Sequence, residues 1–167
     1  VDQKEFQNNF IDLFKNSINN HLRSDVPIGI YLSGGIDSTS IAYLASKKLG
    51  YNNLTAFNLE FGNSTFDEDI AAKKTAKKLN IKLISHKIEL NDQLKKVKTL
   101  IENLDEPLAD PGYLAIGMIA EVAKNYNFKV MISGDGGDEL FGGYEPFLKL
   151  GIFNSIKNSN FLKFLIK

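Results

Sequence analysis

The sequence predicts an α/β fold, in which helices cover both faces of a doubly wound, mostly parallel sheet to give three layers. Short apolar segments alternate with helical patterns from Pro27 to Ser133, and this alternation favours right-handed crossovers between parallel strands. A glycine-rich turn follows the first and the last apolar segment, and ligands bind at such turns where the strand order reverses. We therefore predict the strand order 3-2-1-4.

The chain opens with a predicted helix from Gln3 to Arg23. Its apolar residues recur at helical spacing and are Phe6, Phe10, Ile11, Phe14, Ile18 and Leu22. Pro27 cannot continue a helix and opens strand one, which ends at Leu32. Helix two follows from Thr39 to Leu49, and Gly50 suits the position just after its end.

Strands and helices continue to alternate along the rest of the chain. Their predicted bounds are strand two Leu54 to Leu59, a helix Glu68 to Leu79, strand three Lys82 to Ile88, a helix ending near Leu104, a helix Gly112 to Tyr126, and strand four Phe128 to Ser133. Asp67 and Asn91 are placed to cap two of these helices. Gly62 to Ser64 is a predicted loop.

After Tyr144 the pattern weakens into an apolar-rich tail with scattered lysines. The tail is either a helix that lies on a membrane surface or a segment whose packing partner lies further along a longer chain; we favour the second. The predicted organisation is an N-terminal helix (1–24) that packs on the domain, a ligand-binding domain (25–146), and the start of a truncated helical part (147–167).

The composition narrows the classes of function. The chain has no cysteine, which excludes disulfides, cysteine-ligated zinc and a cysteine nucleophile within it. Its net charge is zero and Arg23 is its only arginine, so we expect no nucleic-acid partner. No apolar run approaches about 18 residues and no signal-peptide pattern is present. We expect a cytoplasmic protein without a membrane partner.

The turn Ser33-Gly34-Gly35-Ile36-Asp37-Ser38 has the features of a phosphate cradle. Gly34 and Gly35 lack a Cβ, so the backbone can approach a phosphate closely and point several N–H groups at it. The following helix adds the positive end of its dipole, and the two serines add hydroxyl donors. The alternative is a tight strand-to-helix turn in which Asp37 or Ser38 caps the helix.

Carboxylates accompany both glycine-rich turns. Asp37 lies in the first turn, and Asp135, Asp138 and Glu139 lie in the second. So many negative charges around a phosphate would repel one another without cations. Mg²⁺ takes one or two carboxylates together with phosphate oxygens and waters, and Asp37 and Asp138 are the natural pair. The alternative is a pair of solvated turns with capping aspartates.

The first turn resembles the PP-loop of the ATP pyrophosphatases, which cleave ATP between the α- and β-phosphates; we call residues 33–38 the PP-loop. The run Ser133-Gly-Asp-Gly-Gly-Asp-Glu-Leu-Phe-Gly-Gly-Tyr144 resembles the signature of the synthetase domain of glutamine-hydrolysing asparagine synthetases. Asp105 to Pro111 and Phe66 to Glu68 resemble further segments of that family. The resemblance spans about Arg23 to Tyr144 and implies an adenine nucleotide alpha-hydrolase-like, Rossmann-like fold.

The resemblance also implies roles for individual positions. The expected ATP contacts are Leu32, Ser33, Gly34, Gly35, Asp37, Ser38, Leu59, Ser133 and Gly134. Leu59 lies where the family packs the adenine, and a plain core leucine is its alternative. The expected Mg²⁺ ligands are Asp37 and Asp138. The expected catalytic residues are Ser38 and Asp135, the latter at a position linked to the ammonia-dependent step.

The implied reaction activates the side-chain carboxylate of aspartate as an acyl-adenylate, releases pyrophosphate and forms asparagine with ammonia. The expected partners are ATP, Mg²⁺, aspartate, ammonia and a glutaminase domain or subunit, since no such domain is present here; a homodimer is left open. Gly112 stands where the family commonly has Ser. Adenylation of another carboxylate (a β-lactam precursor, a peptide or a sugar acid) is therefore an alternative, as is a non-catalytic nucleotide-binding module.

Overall fold

The computed structural model describes residues 2–51, 53–61, 68–88, 90–106, 108, 110, 112–147 and 149. The chain divides into two compact units, Val1–Ser133 and Gly134–Lys167. The elements in chain order are α1 (Gln3–His21), β1 (Ile28–Tyr31), α2 (Ile36–Tyr43), a π-helical turn (Leu44–Lys48), β2 (Thr55–Phe61), α3 (Glu68–Leu79), β3 (Lys82–Ile88), α4 (Leu90–Glu102), α5 (Gly112–Asn125), β4 (Val130–Ile132) and α6 (Gly137–Phe141).

The described strands form one parallel sheet in the predicted order β3-β2-β1-β4. Gly29 of β1 pairs with Thr55 of β2 on one side and with Met131 of β4 on the other. The chain therefore leaves β1 in one direction to build β2 and β3, and it returns on the other side of β1 to build β4. The junction between β1 and β4 is the point where the strand order reverses.

The two faces of the sheet carry separate apolar clusters, which confirms the three-layer arrangement. Because side chains alternate along a strand, Leu54 and Ala56 face one side of β2, while Phe57 and Leu59 face the other. The first cluster joins β1 and β2 to α1, α2 and α3, and its buried members outside β2 include Ile18, Ile30, Leu32, Ile41, Ala72, Ala76 and Leu79. The second cluster joins β2 and β3 to α5, and it includes Ile84, Ile88, Met118, Ile119, Val122 and Ala123.

Helix α1 joins the first cluster through its C-terminal half. Ile18 is buried there, and Phe14 and Leu22 pack against the same cluster. The Asp2 carboxylate accepts a hydrogen bond from the Lys4 N–H at 3.0 Å and caps the start of the helix. The helix that the spacing predicts is present, but Phe6 and Ile11 of its predicted apolar side are exposed, so only the C-terminal half buries that side.

Helix two differs from its prediction at both ends. It begins at Ile36 rather than at Thr39, and after Tyr43 it widens into the π-helical turn. In that turn the Leu49 N–H donates to the Leu44 C=O at 2.9 Å, five residues back. Gly50 then takes the left-handed conformation with φ +70°, as the prediction for a residue after a helix end requires.

Other element bounds shift by a few residues. β2 runs on to Phe61, and α4 begins at Leu90, so Asn91 lies inside the helix rather than at its cap. Asp67, the loop at 62–64 and the tail at 151–167 lie outside the described residues. The division at residues 24 and 146 stays a prediction. Among the helices that the structure describes, none combines the length and the apolar character that a bilayer crossing requires.

Candidate active site

The PP-loop starts from a fixed point at the carboxyl end of β1. Leu32 is buried in the first apolar cluster, and its N–H donates to the Phe57 C=O of β2 at 2.9 Å. Ser33 follows directly and is exposed. The sheet thus holds the chain up to Leu32 and presents the next residues at its carboxyl edge.

Two serine hydroxyl groups close the PP-loop on itself. The Gly35 N–H donates to Ser33 Oγ at 3.2 Å, and Ser38 Oγ donates to the Gly35 C=O at 3.3 Å. The two hydroxyl oxygens lie 3.2 Å apart, within hydrogen-bond distance. Ser38 is only 6% exposed, so its hydroxyl group holds the loop from within while the Ser33 side chain faces outward.

The start of α2 leaves backbone donors at the mouth of the loop. Gly35 is the N-cap residue, and the Thr39 N–H donates to its carbonyl at 3.1 Å. The N–H groups of Ile36, Asp37 and Ser38 therefore precede the first intrahelical bond, and such groups are available to an anion. The alternative in which Asp37 or Ser38 caps α2 is wrong, because both residues lie inside its first turn.

Gly34 turns the loop through a conformation that other residues avoid. Its φ is +87°, in the left-handed region. A Cβ on Gly34 would lie 2.8 Å from three atoms of α3, namely Ala71 Cβ, the Ala72 nitrogen and the Glu68 carbonyl oxygen. The first turn of α3 is thus the wall against which the PP-loop is folded.

Ser133 lies at the same edge of the sheet as the PP-loop. Ile30 of β1 pairs with Ile132 of β4, so Ser133 leaves the sheet at the level of Tyr31, two residues before Ser33. This is the edge on which the sequence places the second glycine-rich turn. Gly134 begins the second unit.

The second unit contains α6 between two left-handed glycines, Gly136 (φ +88°) and Gly142 (φ +70°). The Gly143 N–H donates to the Asp138 C=O at 3.0 Å, and a Cβ on Gly143 would overlap the Asp138 carboxylate. Gly143 thus leaves the space in which that carboxylate lies. Asp138 and Asp135 are both exposed.

Glu139 neighbours the predicted metal ligand Asp138. The Tyr144 hydroxyl group donates to Glu139 Oε1 at 2.7 Å and lowers the pKa of this carboxyl group. A fixed, ionised Glu139 adds negative charge next to Asp138, which favours a cation in its surroundings.

Leu59 has the surroundings of a core leucine, which is the alternative to its predicted contact with adenine. Leu59 is buried in the second apolar cluster, two residues before the end of β2; its contact with adenine stays a prediction. The Asp110 carboxylate accepts from the Gly112 N–H at 2.8 Å and holds the start of α5.

Asp105 and Glu106 line a cleft of about 290 Å³ at the start of α5. The cleft's other lining residues are Ile101, Leu104, Leu108 and Tyr113.

A polar set behind the PP-loop was not predicted. It consists of Asn58 and Glu60 on β2 and Asp69 and Lys73 on α3, joined in pairs. The sequence gives only a weak signal for this set, because Asn58 and Glu60 stand at alternate positions of a mostly apolar strand. Their partners depend on how α3 lies on β2.

The predicted Mg²⁺ site stays a prediction, and its support is the chemistry of single side chains. Within the described ranges no three His, Asp or Glu side chains are grouped as metal ligands. Mg²⁺ needs fewer, because phosphate oxygens and waters complete its shell. The half-buried Asp37 carboxylate in the first turn of α2 is a hard oxygen donor of the type that Mg²⁺ prefers.

Comparisons with known proteins identify the family of the chain. The asparagine synthase family model matches residues 9–161. Asparagine synthetase 1 (glutamine-hydrolysing) of Bacillus subtilis is 41% identical over 133 residues, which cover 80% of this chain and 21% of that protein. The amidase chyE of Penicillium rubens is 32% identical over 139 residues, which cover 75% of this chain and 21% of that protein.

The similarity extends to solved structures at the level of the fold. The U34-tRNA thiolase of Methanococcus maripaludis superposes with a TM-score of 0.57 at 18% identity, covering 90% of this chain and 52% of that one. The chain spans about a fifth of the length of the curated relatives named above. With the family model matching most of its residues, the chain belongs to the asparagine synthase family.

Proposed function

We propose that the chain is the ATP-binding part of a ligase that activates a carboxylate with ATP and converts it to an amide. The observation that supports this most is the PP-loop, where a hydroxyl pair and the first N–H groups of α2 surround a glycine turn at the reversal point of the sheet. Family membership supports the same reaction class.

In this proposal the phosphates of ATP lie on the PP-loop. The N–H groups of Ile36, Asp37 and Ser38 and the Ser33 hydroxyl group donate to phosphate oxygens, as helix N-termini do for anions. Leu32, Gly34 and Gly35 shape the backbone around them. Leu59, Ser133 and Gly134 are proposed for the nucleoside on the resemblance of their motifs.

The proposed Mg²⁺ ligands are Asp37 and Asp138, again from their motifs. When bound, Mg²⁺ neutralises phosphate charge and helps pyrophosphate to leave. The carboxylates fit this task, because without a cation they would repel the nucleotide. Because Gly143 has no Cβ, the Asp138 carboxylate can occupy its position beside Gly143.

The chemistry proceeds in two displacements. A carboxylate oxygen of the acceptor attacks the α-phosphorus, the bond to the bridging oxygen breaks, and pyrophosphate leaves. Ammonia then attacks the acyl carbon of the adenylate, AMP leaves and a proton is released, which yields the amide. The chain contributes alignment and donors to the phosphates through Ser33, Ser38 and the start of α2. Asp135 is proposed for the ammonia-dependent step.

We infer aspartate as the acceptor, asparagine as the product and a cytoplasmic setting. Ammonia would come from a glutaminase domain or subunit, as in the glutamine-hydrolysing type. Adenylation of a different carboxylate is the second candidate. It is favoured by Gly112, where the family commonly has Ser, beside the cleft lined by Asp105 and Glu106.

The test is pyrophosphate release from Mg·ATP by the longest product of the gene, with ammonium and a panel of carboxylic acids. Release that depends on aspartate, and asparagine as the product, would support the first candidate. Release with another acid would support the second. Nucleotide binding without release under any condition would leave a non-catalytic binding module and overturn the ligase.

A further inference from the structure

Helix α3 forms the wall behind the PP-loop. Gly34 lies so close to α3 that any side chain there would overlap the Ala72 nitrogen and the Glu68 carbonyl group. These are backbone atoms in the middle of a helical turn, which cannot move aside on their own. The conformation of the loop at Gly34 therefore depends on where the first turn of α3 lies.

The first polar tie between α3 and the sheet joins Asn58 and Asp69. Asn58 Nδ2 donates to Asp69 Oδ1 at 3.3 Å, and Asn58 is only 5% exposed. A buried amide without a partner would destabilise the fold, so this hydrogen bond favours the one position of α3 that brings Asp69 next to Asn58. Asp69 belongs to the same turn of α3 as Glu68, whose carbonyl oxygen lies next to Gly34.

The second tie lies one turn further along α3. Lys73 Nζ lies 2.6 Å from Glu60 Oε1, and Glu60 follows Asn58 by two residues on the same face of β2. Helix α3 leads from the carboxyl edge of the sheet back to the start of β3 and so runs antiparallel to β2. The long Lys73 side chain therefore reaches back toward that edge to meet Glu60. Two consecutive turns of α3 are therefore attached to β2, the strand that also accepts the Leu32 N–H at the root of the PP-loop.

We propose that Asn58 and Asp69, supported by Glu60 and Lys73, are positioning residues for the PP-loop. They hold the first turn of α3 against β2, the turn holds Gly34 in its left-handed conformation, and this conformation points the loop donors at one place. The effect on nucleotide affinity rests on the proposed function. The effect on the order of the loop does not.

The test compares Asp69→Ala with Asp69→Asn in the longest product of the gene. Asparagine keeps an oxygen that can accept from Asn58, and alanine does not. Lys96→Ala is the matched control, since it removes the Lys96–Glu121 pair of 2.8 Å, which ties α4 to α5. Lys73→Met is a milder second variant, because its half-exposed side chain can be replaced without disturbing the core.

Two quantities are measured in each variant: amide hydrogen exchange in the peptide covering Ser33 to Ser38, and the Kd for Mg·ATP. Asp69→Ala should raise loop exchange and weaken ATP binding by about threefold to thirtyfold. Lys73→Met should have the same two effects to a smaller extent. Asp69→Asn and Lys96→Ala should match the unchanged protein in loop exchange and in ATP affinity.

Four results would be decisive. Equal loop exchange in Asp69→Ala and Lys96→Ala would overturn the positioning role, and so would a rise spread evenly over β3 and the loop. Faster loop exchange with unchanged ATP affinity would overturn the link to the nucleotide. If the unchanged protein binds no ATP, the proposed function fails, while the exchange contrast still decides whether α3 positions the loop.

Discussion

The hydroxyl oxygens of Ser33 and Ser38 lie 3.2 Å apart across the PP-loop. One residue ends the path out of β1 and the other belongs to the first turn of α2, so their contact closes the loop at its base. The Gly35 backbone bonds to both side chains: its N–H donates to Ser33 Oγ, and its C=O accepts from Ser38 Oγ. The loop is thus shaped by its own side chains before any ligand arrives.

Ser38→Ala should weaken Mg·ATP binding about tenfold, which corresponds to about 1.4 kcal/mol. The substitution removes the bond to the Gly35 carbonyl group and leaves Ser33 without this neighbour. Titration calorimetry measures the affinity. Ser40→Ala is the control, since Ser40 donates to the Ile36 C=O at 2.7 Å on the same helix but takes no part in closing the loop. Equal affinities in the two variants would contradict the prediction.

Gly34→Ala should destabilise the chain more than Gly50→Ala. Both glycines have left-handed φ values, +87° and +70°, so both substitutions cost about 1–2 kcal/mol in backbone conformation. A Cβ at Gly50 meets nothing within 4 Å, whereas one at Gly34 meets α3 at 2.8 Å. We expect an additional loss of about 1–3 kcal/mol for Gly34→Ala.

Urea denaturation gives the two free energies of unfolding. ATP binding should be lost in Gly34→Ala and kept in Gly50→Ala. Similar stabilities for the two variants would mean that α3 is not a rigid wall behind the loop.

Gly143→Ala should shift the Mg²⁺ concentration for half-maximal pyrophosphate release upward by about tenfold. The new methyl group would overlap the Asp138 carboxylate and push it out of place. Gly142→Ala serves as the control, because its Cβ meets only Phe147, at 4.0 Å, and its cost arises from φ +70°. The prediction fails if both variants need the same Mg²⁺ concentration as the unchanged protein.

The Glu60–Lys73 pair should give stability a defined pH dependence. The Lys73 ammonium group lowers the pKa of Glu60 below its ordinary 4.5, and Glu60 raises the pKa of Lys73 above its ordinary 10.5. The ionised Glu60 therefore contributes fully to the stability of the fold above pH 4.5, and this contribution is lost as the pH falls through its lowered pKa. The charged Lys73 contributes fully below pH 10.5, and its contribution is lost as the pH rises through its raised pKa.

Melting temperatures of the unchanged protein and Glu60→Gln measure this contribution. The difference should be about 2 °C or less, since the pair is partly exposed. It should be constant between pH 6 and 9 and decrease as the pH falls through the lowered pKa of Glu60. A difference that stays the same throughout acid titration of the native protein would show that packing, and not the ion pair, is responsible.

The order of the sheet could be predicted because each strand carries its own signal. Apolar runs such as Val130 to Ile132 mark the strands, and the strand order of doubly wound sheets places β4 beside β1. The PP-loop could be located for the same reason, since it must follow β1. The sequence predicts the start of α2 three residues too late, because Asp37 and Ser38 are residues that favour cap and turn positions. The deciding hydrogen bond, from the Thr39 N–H to the Gly35 C=O, is not visible in the sequence.

The ties behind the loop could not be predicted from the sequence. Asn58 and Asp69 are eleven residues apart, and their contact depends on the register of α3 on β2. That register follows from the packing of Ala72 and Ala76 in the first apolar cluster. Many sequences with small apolar residues at these positions would pack equally well, so the sequence does not predict the register. Leu59 shows the same limit: alternation indicates burial, but not which neighbours surround it.

The position at which ATP is cut decides whether the carboxylate is adenylated. The longest product of the gene is incubated with Mg·ATP, aspartate and ammonium, and AMP, ADP, pyrophosphate and phosphate are quantified, with Asp37→Ala in parallel. Adenylation at the PP-loop predicts AMP and pyrophosphate in equal amounts, dependent on the carboxylate and lost in Asp37→Ala. Formation of ADP and phosphate, or AMP formation that Asp37→Ala leaves unchanged, would contradict it.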